Sequence, residues 1–286
     1  MPASGHMTFE RHDFEHYVRL AKLQAPFTID ASWGQGRSVF GGLSAALVLS
    51  HIEAQTGLKD KDLRSLNVHF CAPIMGEENC ELTYQVLSQG KSTHQIQGQL
   101  IQNGQVKTQL MACFGAKRAS SARIKHERES ELPAIQTAFK FPYLKGVTPE
   151  LVQKIDMRLT SKDMPFSGSD ESQVHGWMRF EDQPEAFSDA AILALIDAWP
   201  PAILTTLSQP APASTITWNI EFIQPRAAIG KEDHLYYDCQ VIQAELGYAH
   251  TEGRVYHPNG ELLALSRQLV GIYDKSDKRD KIKPND

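Results

Sequence analysis

Two stretches of this chain are apolar on nearly every face of a helix, and the remaining pattern arranges itself around them. The first is Leu43-Ser44-Ala45-Ala46-Leu47-Val48-Leu49-Ser50-His51-Ile52, stopping near Gly57. The second runs from Phe187 to Pro201 and is sharply bounded. Ser188 can accept from the first free N–H groups, and Asp189 suits the positive helix start. Phe187 and Ile192 stand at the spacing of a hydrophobic staple. The Pro200-Pro201 pair stops the helix, because proline lacks the N–H and disfavours helical geometry in the residue before it. A helix without a polar face is predicted to be enclosed by the protein. Asp197 breaks the second pattern. An ionised carboxylate in such surroundings is costly unless hydrogen-bonded, and its pKa rises towards the range useful to a general base. The competing reading puts Asp197 at the wet end of the helix beside the prolines.

Period-two alternation predicts strands on both sides of these helices. Over 63–70, Leu66, Val68 and Phe70 share a face; over 80–88, Leu82, Tyr84 and Val86 do. Residues 92–101 alternate less cleanly, and 105–115 put Val106, Leu110, Ala112 and Phe114 together. Asn103-Gly104 between the last two is a tight-hairpin signal. Ahead of the first buried helix, 9–24 reads as an amphipathic helix and 27–33 as a strand. Residues 118–170 are charged and proline-broken, and predict a connector with one or two short helices, such as 149–155, and partial disorder near Ser167-Gly168-Ser169-Asp170. The strand pattern then returns at 174–180, 214–223, 234–244, 248–257 and 261–273. In the second of these Ile216, Trp218, Ile220 and Phe222 share one face, and Thr215, Thr217, Asn219 and Glu221 the other.

The two halves repeat one another. Phe70-Cys71-Ala72-Pro73 corresponds to Phe222-Ile223-Gln224-Pro225, Asn103-Gly104 to Asn259-Gly260, and Gly115 to Gly271. The repeated unit is a strand, a long buried helix and four antiparallel strands, an α+β class. A sheet curled around a helix explains why neither helix has a polar face. The expected organisation is a first unit over 8–117, the connector over 118–170, a second unit over 171–274 and a charged tail over 275–286. The units should pair sheet edges into one continuous sheet, with both helices on one side of it.

Composition removes several classes of function. The 286 residues carry a formal charge of −5, which argues against broad phosphate-backbone recognition and hence against a nucleic-acid partner. No apolar run reaches the roughly 20 residues of a membrane span. No charged-then-apolar leader opens the chain, so a cytoplasmic location is expected. Cys71, Cys80, Cys113 and Cys239 are scattered, without CxxC or metal-ligand spacing; free thiols and no metal are expected. There is no GxSxG nucleophile elbow. Gly34-Gln35-Gly36 begins like a dinucleotide loop, but its third glycine is misplaced and no βαβ pattern follows. His69, His94, His250 and His257 read as structural.

The repeated unit resembles the hotdog fold, and two in one chain resemble the double-hotdog acyl-CoA thioesterases of the TesB (thioesterase II) type, over roughly 8–117 and 172–274. Arg37-Ser38-Val39-Phe40-Gly41-Gly42 looks like the family's motif at the first helix, and His175-Gly176-Trp177-Met178-Arg179 like its strand opening the second unit. The resemblance implies a water-activating Asp/Thr/Gln group: Asp197 from the helix, Thr215 from Ser214-Thr215-Ile216, and Gln268 from Ser266-Arg267-Gln268-Leu269. It implies acyl-CoA as substrate, no cofactor, thioester hydrolysis without a covalent intermediate, and association into a homo-oligomer. The residues themselves speak unevenly. Gln268 is a lone amide on the apolar face of Leu262, Ala264, Val270 and Ile272, hence a satisfied structural group or a site residue. Thr215, on the polar face, reads by spacing as a plain strand threonine. Aligning the halves puts Ala112 where Gln268 stands and Ser44 roughly where Asp197 stands, so one active centre per chain is expected. Gly41 and Gly42 suit backbone oxyanion donors or, equally, close helix packing. Arg37 and Arg226 are candidates for the CoA phosphates or ordinary surface arginines. The rival function is an acyl-CoA binding module that does not hydrolyse. The hydratase motif Asp-x-Asn-Pro-x-His is absent.

Overall fold

The computed structural model describes residues 12–126, 128 and 131–274; the expected tail over 275–286 lies outside them. Helix α1 (Phe14–Ala21) opens on Asp13, whose carboxylate accepts from the His16 N–H at 2.7 Å. The strand expected over 27–33 does not form. Phe27 makes a single bridge to Cys80, and Ala31–Trp33 is one 3₁₀ turn capped by Asp30. The short strands β1 (Gly34–Gln35) and β2 (Ser38–Val39) then lead into α2 (Gly41–Thr56), which ends at Gly57 in left-handed conformation. Strands β3 (Asp62–Phe70), β4 (Glu81–Gln89), β5 (Thr93–Gln102) and β6 (Gln105–Gly115) complete the first unit. Asn103 and Gly104, both at positive φ, make the β5–β6 turn as their sequence predicts.

The segment expected to be a connector does more than connect. It supplies β7 (Phe139–Lys140) and β8 (Ile155–Leu159), the latter preceded by a 3₁₀ turn over Glu150–Gln153 where a helix over 149–155 was expected. Its end is held too: the Phe166, Gly168 and Ser169 N–H groups donate to carbonyls of Leu204, Leu207 and Thr205. The second unit is β9 (Gln173–Phe180), α3 (Asp189–Asp197), β10 (Ala213–Phe222), β11 (Leu235–Glu245), β12 (Tyr248–Tyr256) and β13 (Leu262–Ile272).

One antiparallel sheet of eleven strands carries everything, in the order β4-β5-β6-β3-β10-β13-β12-β11-β9-β8-β7. The seam is β3 against β10, with Val68 opposite Trp218 and Leu66 opposite Ile220. All four of these side chains are buried. Pairing across the seam removes two sheet edges that the units would otherwise expose. The helices α2 and α3 pack on each other on one side of this sheet, and every residue from Gly42 to Ile52 and from Ala190 to Ile196 is buried. The two-tandem-unit hotdog architecture is therefore the observed one.

The duplication extends to irregularities the sequence pattern did not mark. β3 carries a bulge at Arg64 and β10 one at Ile216; β4 carries one at Leu87 and β11 one at Ile242. Each inserts one residue and turns the rest of its strand over. On the opposite sheet face, Trp177, Tyr236 and Tyr256 form an apolar patch that the connector covers through Leu132, Ile135 and Ala138. There the Trp177 indole N–H donates to the Pro133 carbonyl at 3.1 Å.

At the far edge Asp156 on β8 is buried, and burial alone would raise its pKa. Hydrogen bonds from Arg158 and His234 and the charge of Lys140 outweigh that and hold it at about 2. Folding is thus favoured by its ionised form above the unfolded carboxylate range near 4, and that contribution fades as pH falls from about 4 towards 2. Asp156→Asn should lower stability at pH 7 by roughly 1–3 kcal/mol, and the difference from wild type should shrink below pH 4, read from melting temperatures across pH.

Candidate active site

Helix α2 begins at Gly41 without a side-chain cap, since Phe40 precedes it. Its first N–H groups therefore need an acceptor from elsewhere. Asp197, the last residue of α3, provides one: its carboxylate accepts from the Gly42 N–H. The two helices run antiparallel, so the start of one meets the end of the other. A Cβ on Gly42 would stand 2.9 Å from the Ala194 carbonyl oxygen and 2.9 Å from the Asp197 Cβ. On Gly41 it would stand 3.0 Å from Asp197 Oδ2 and 2.9 Å from the Phe70 ring. Only glycine permits this approach.

The second donor comes from the sheet. The Gln268 Nε2 on β13 donates to Asp197 Oδ1 at 3.1 Å, and the Thr215 hydroxyl on β10 donates to Gln268 Oε1 at 3.2 Å. The threonine thereby decides which end of the amide faces Asp197. Its presence on the inner face is the work of the bulge. Thr217 pairs with Leu269 and Thr215 with Val270, so Ile216 is the extra residue. Downstream of it Thr217, Asn219 and Glu221 keep the outer face, while Thr215 turns inward beside Gln268. Reading the strand as regular put Thr215 on the wrong side.

Asp197 forms no ion pair among the described residues. Burial raises its pKa to about 7, with the hydrogen bonds from Gly42 and Gln268 pulling the other way. Asp197 is half-buried at the end of α3, between the buried Ile196 and Ala198 and ahead of the half-buried Pro200. Trp199, two residues on, is buried and stacks on Tyr237 with ring centroids 5.9 Å apart. Tyr237 is near enough for the Asp197 charge to add to the burial that raises its own pKa. Periodicity marked Tyr237 only as a strand residue; nothing short of the folded sheet brings β11 to the end of α3.

A family model described as acyl-CoA thioesterase N-terminal domain matches residues 29–115, and one described as acyl-CoA thioesterase C-terminal domain matches 127–272. The chain belongs to the acyl-CoA thioesterase family. It is a thioester hydrolase of the TesB-like, hotdog kind. Solved structures show the same fold at low identity. A protein of hot dog fold from Alicyclobacillus acidocaldarius is 22% identical with a TM-score of 0.75, covering 91% of this chain and 98% of its own. A putative thioesterase II from Thermobifida fusca YX is 16% identical with a TM-score of 0.73, covering 87% and 92%. The acyl-CoA thioesterase II TesB2 of Mycobacterium marinum is 17% identical with a TM-score of 0.70, covering 91% and 100%. No curated protein sequence matches the chain.

The other expected site residues of this thioesterase divide. Gly41 and Gly42 sit against Asp197; the Gly42 N–H is committed to that carboxylate, and the Gly41 N–H has no partner among the described residues. Arg37 is exposed in the turn between β1 and β2, with no ion pair among the described residues. Arg226 is not brought to Asp197. It is half-buried in an ion pair with Asp189, the first residue of α3, about 12 Å along the helix from Asp197. The first unit does not repeat the Asp197, Thr215 and Gln268 trio. Counted from the helix starts, Leu49 rather than Ser44 is the counterpart of Asp197, because Asp197 closes the ninth position of α3. Ser44 instead bonds the Gly41 carbonyl and the Thr108 hydroxyl. Leu49, Leu63 and Ala112 stand where the second unit has Asp197, Thr215 and Gln268, and all three are buried. Among the described residues no cluster of metal-binding side chains occurs.

Two outcomes follow. A carboxylic-acid infrared band should titrate near pH 7 and vanish in Asp197→Asn. Because this pKa is raised above the unfolded value, the group's contribution to stability should decline as pH rises from about 4 to 7. Gly42→Ala should destabilise by roughly 1–3 kcal/mol through overpacking and reduce hydrolysis with it, read by melting and by thiol release.

Proposed function

We propose that the chain hydrolyses acyl-CoA to the free acid and CoA with Asp197 as general base, Gln268 and Thr215 as positioning groups, and no covalent intermediate. The observation that carries this reading is the chain of hydrogen bonds Thr215 to Gln268 to Asp197, ending on a carboxylate whose pKa is pushed to about 7. A base with that pKa is ionised in useful amount at neutral pH and still holds a proton well in the transition state.

In this mechanism the water oxygen bonds to the thioester carbon while Asp197 takes its proton. The tetrahedral intermediate then breaks the carbon–sulfur bond, and the departing thiolate recovers the proton from Asp197. The Gly41 N–H, at the positive start of α2, is the proposed donor to the oxyanion. Arg37 is the proposed contact for the CoA phosphates; the engagement of Arg226 by Asp189 weighs against it in that role. The four free cysteines favour a reducing, cytoplasmic setting. Association of chains into a homo-oligomer completes the proposal.

Asp197→Asn should keep its fold and lose about 10²–10⁴-fold in kcat with acyl-CoA binding little changed. Thr215→Ala and Gln268→Ala should each lose less, and the double variant less than their summed effect. In wild type kcat/KM should rise with pH through about 7 as Asp197 ionises. Hydrolysis by Asp197→Asn at wild-type rate, with a normal melting temperature, would remove Asp197 from the reaction. Binding of acyl-CoA without turnover in wild type would favour the non-hydrolytic module.

A further inference from the structure

Helix α2 reaches Asp197 through one peptide unit, the one that joins Gly41 to Gly42. The N–H of that unit is the Gly42 donor to the Asp197 carboxylate, and its other end is the Gly41 carbonyl. The carbonyl accepts from the Ser44 hydroxyl at 2.7 Å. The Ser44 oxygen lies 2.9 Å from the hydroxyl oxygen of Thr108 on β6. Ser44 has one hydroxyl proton and a carbonyl can only accept, so that proton goes to Gly41 and Thr108 is the donor to Ser44. The bonds run in one direction: Thr108 to Ser44, Ser44 to the Gly41 carbonyl, and the Gly42 N–H to Asp197. Both hydroxyl side chains are fully buried.

A serine that bonds back to the carbonyl of the preceding turn is common in helices and by itself means little. Here the sheet supplies a second hydroxyl behind it, and the pair is particular to this half of the chain. Counted from the helix starts, Ile192 stands where Ser44 does. Thr108 pairs with Phe70 and Ala264 with Phe222, so Ala264 stands where Thr108 does. Both counterparts are buried and apolar. Burying a hydroxyl is costly unless it is hydrogen-bonded, and these two are kept only at the helix whose first peptide holds Asp197. Peptide resonance links the two ends of that unit. A hydrogen bond received at the carbonyl draws charge from the nitrogen and makes the N–H a stronger donor, so bonds in such a chain reinforce one another. The second unit repeats the device with a side-chain amide, since Thr215 donates to the Gln268 oxygen and the Gln268 nitrogen donates to Asp197. Asp197 thus receives two amide N–H groups, each from an amide whose own oxygen is bound by a hydroxyl.

We propose that Ser44 and Thr108 are positioning residues for Asp197, acting through the Gly41–Gly42 peptide as Thr215 acts through the Gln268 amide. The proposal rests on the reading of Asp197 as the general base and supplies the first unit's share of its support. Asp197 is faced by Gly42 from α2, Gln268 from β13 and Tyr237 from β11, and no cation pairs with it among the described residues. Its ionised form therefore depends on the strength of the two amide donors.

The test follows the Asp197 carboxyl directly, by the infrared band that Asp197→Asn removes, and in parallel by the pH profile of kcat/KM. Ser44→Ala, and Thr108→Val, which is close to threonine in shape but lacks its proton, should weaken the Gly42 bond to the ionised form. The band's midpoint and the acid limb of kcat/KM should both move up by a few tenths of a pH unit, given that one bond strengthens its neighbour by about 10–30%. Activity should then fall about twofold below the limb and stay unchanged above it. A purely structural loss would lower the rate at every pH and leave the midpoint in place. Thr108→Ser keeps the hydroxyl and should restore the wild-type midpoint. Thr56→Ala removes a back-bond of the same kind, from Thr56 to the Ile52 carbonyl at 2.7 Å at the far end of α2, and should move neither reading. Glu53, also raised to about 7 by burial, keeps its band in Asp197→Asn and should titrate in place throughout. Should Ser44→Ala fail to fold, Thr108→Val and Thr108→Ser carry the test alone. A midpoint unchanged in the folded variants would overturn the proposal and leave Asp197 standing as the base. A midpoint that moves while the kcat/KM profile stays in place would uphold the hydrogen-bond chain and overturn Asp197 as the base.

Discussion

The arrangement depends on one contact between the halves, the Asp197 carboxylate at the end of α3 accepting from the Gly42 N–H at the start of α2. A carboxylate at the end of its own helix faces the negative pole of that helix, which is unfavourable. The positive pole of the other helix offsets this, and α2 in turn gains the cap that Phe40 cannot supply. The contact exists only because the helices are antiparallel and the α2 start is built of glycine. A group made from one helix and one sheet of the same unit would lack it, so the contact requires both units.

The sheet holds this geometry in place. The β3–β10 seam makes the two curled sheets one body, and the hydrogen-bond ladder sets where Gln268 stands relative to α3. Across the pseudo-symmetric pair the backbone devices are kept, including the bulges at Arg64 and Ile216, while the side chains diverge. Leu49, Leu63 and Ala112 make the first half an apolar support; the second half has the hydrogen-bonded trio Asp197, Thr215 and Gln268 in their place. Burying a polar trio twice would double the desolvation cost without adding a second start-to-end helix contact of the same kind.

The Asp197 carboxylate is incompletely compensated. Asp156, elsewhere in the same sheet, receives Arg158, His234 and Lys140 and is held at about 2. Asp197 receives one backbone N–H and one amide and stays near 7. The contrast lies in the partners: cations stabilise the charge of one, whereas neutral donors only orient the other. Asp197 therefore costs stability in its ionised form and titrates near neutral pH.

The sequence by itself determined the elements, their duplication and the two buried helices, because burial of an apolar face imposes a period that survives without knowledge of neighbours. Ser188, Asp189 and the Pro200-Pro201 pair bounded α3 as local chemistry requires, and the side chain of Ser188 does accept from the Ala191 N–H. Asp197 and Gln268 were legible as polar groups on apolar faces. Thr215 was not, because a bulge adds a residue to a strand without altering its composition, and only the pairing of β10 with β13 shows which residue is extra. The same limit applies to β7 and β8, whose short strands are decided by the edge of β9, and to Arg226, whose partner Asp189 lies 37 positions away in sequence. Periodicity reports which side of an element is dry. Which dry sides meet, and in what register, is decided by long-range pairing that only the tertiary structure contains.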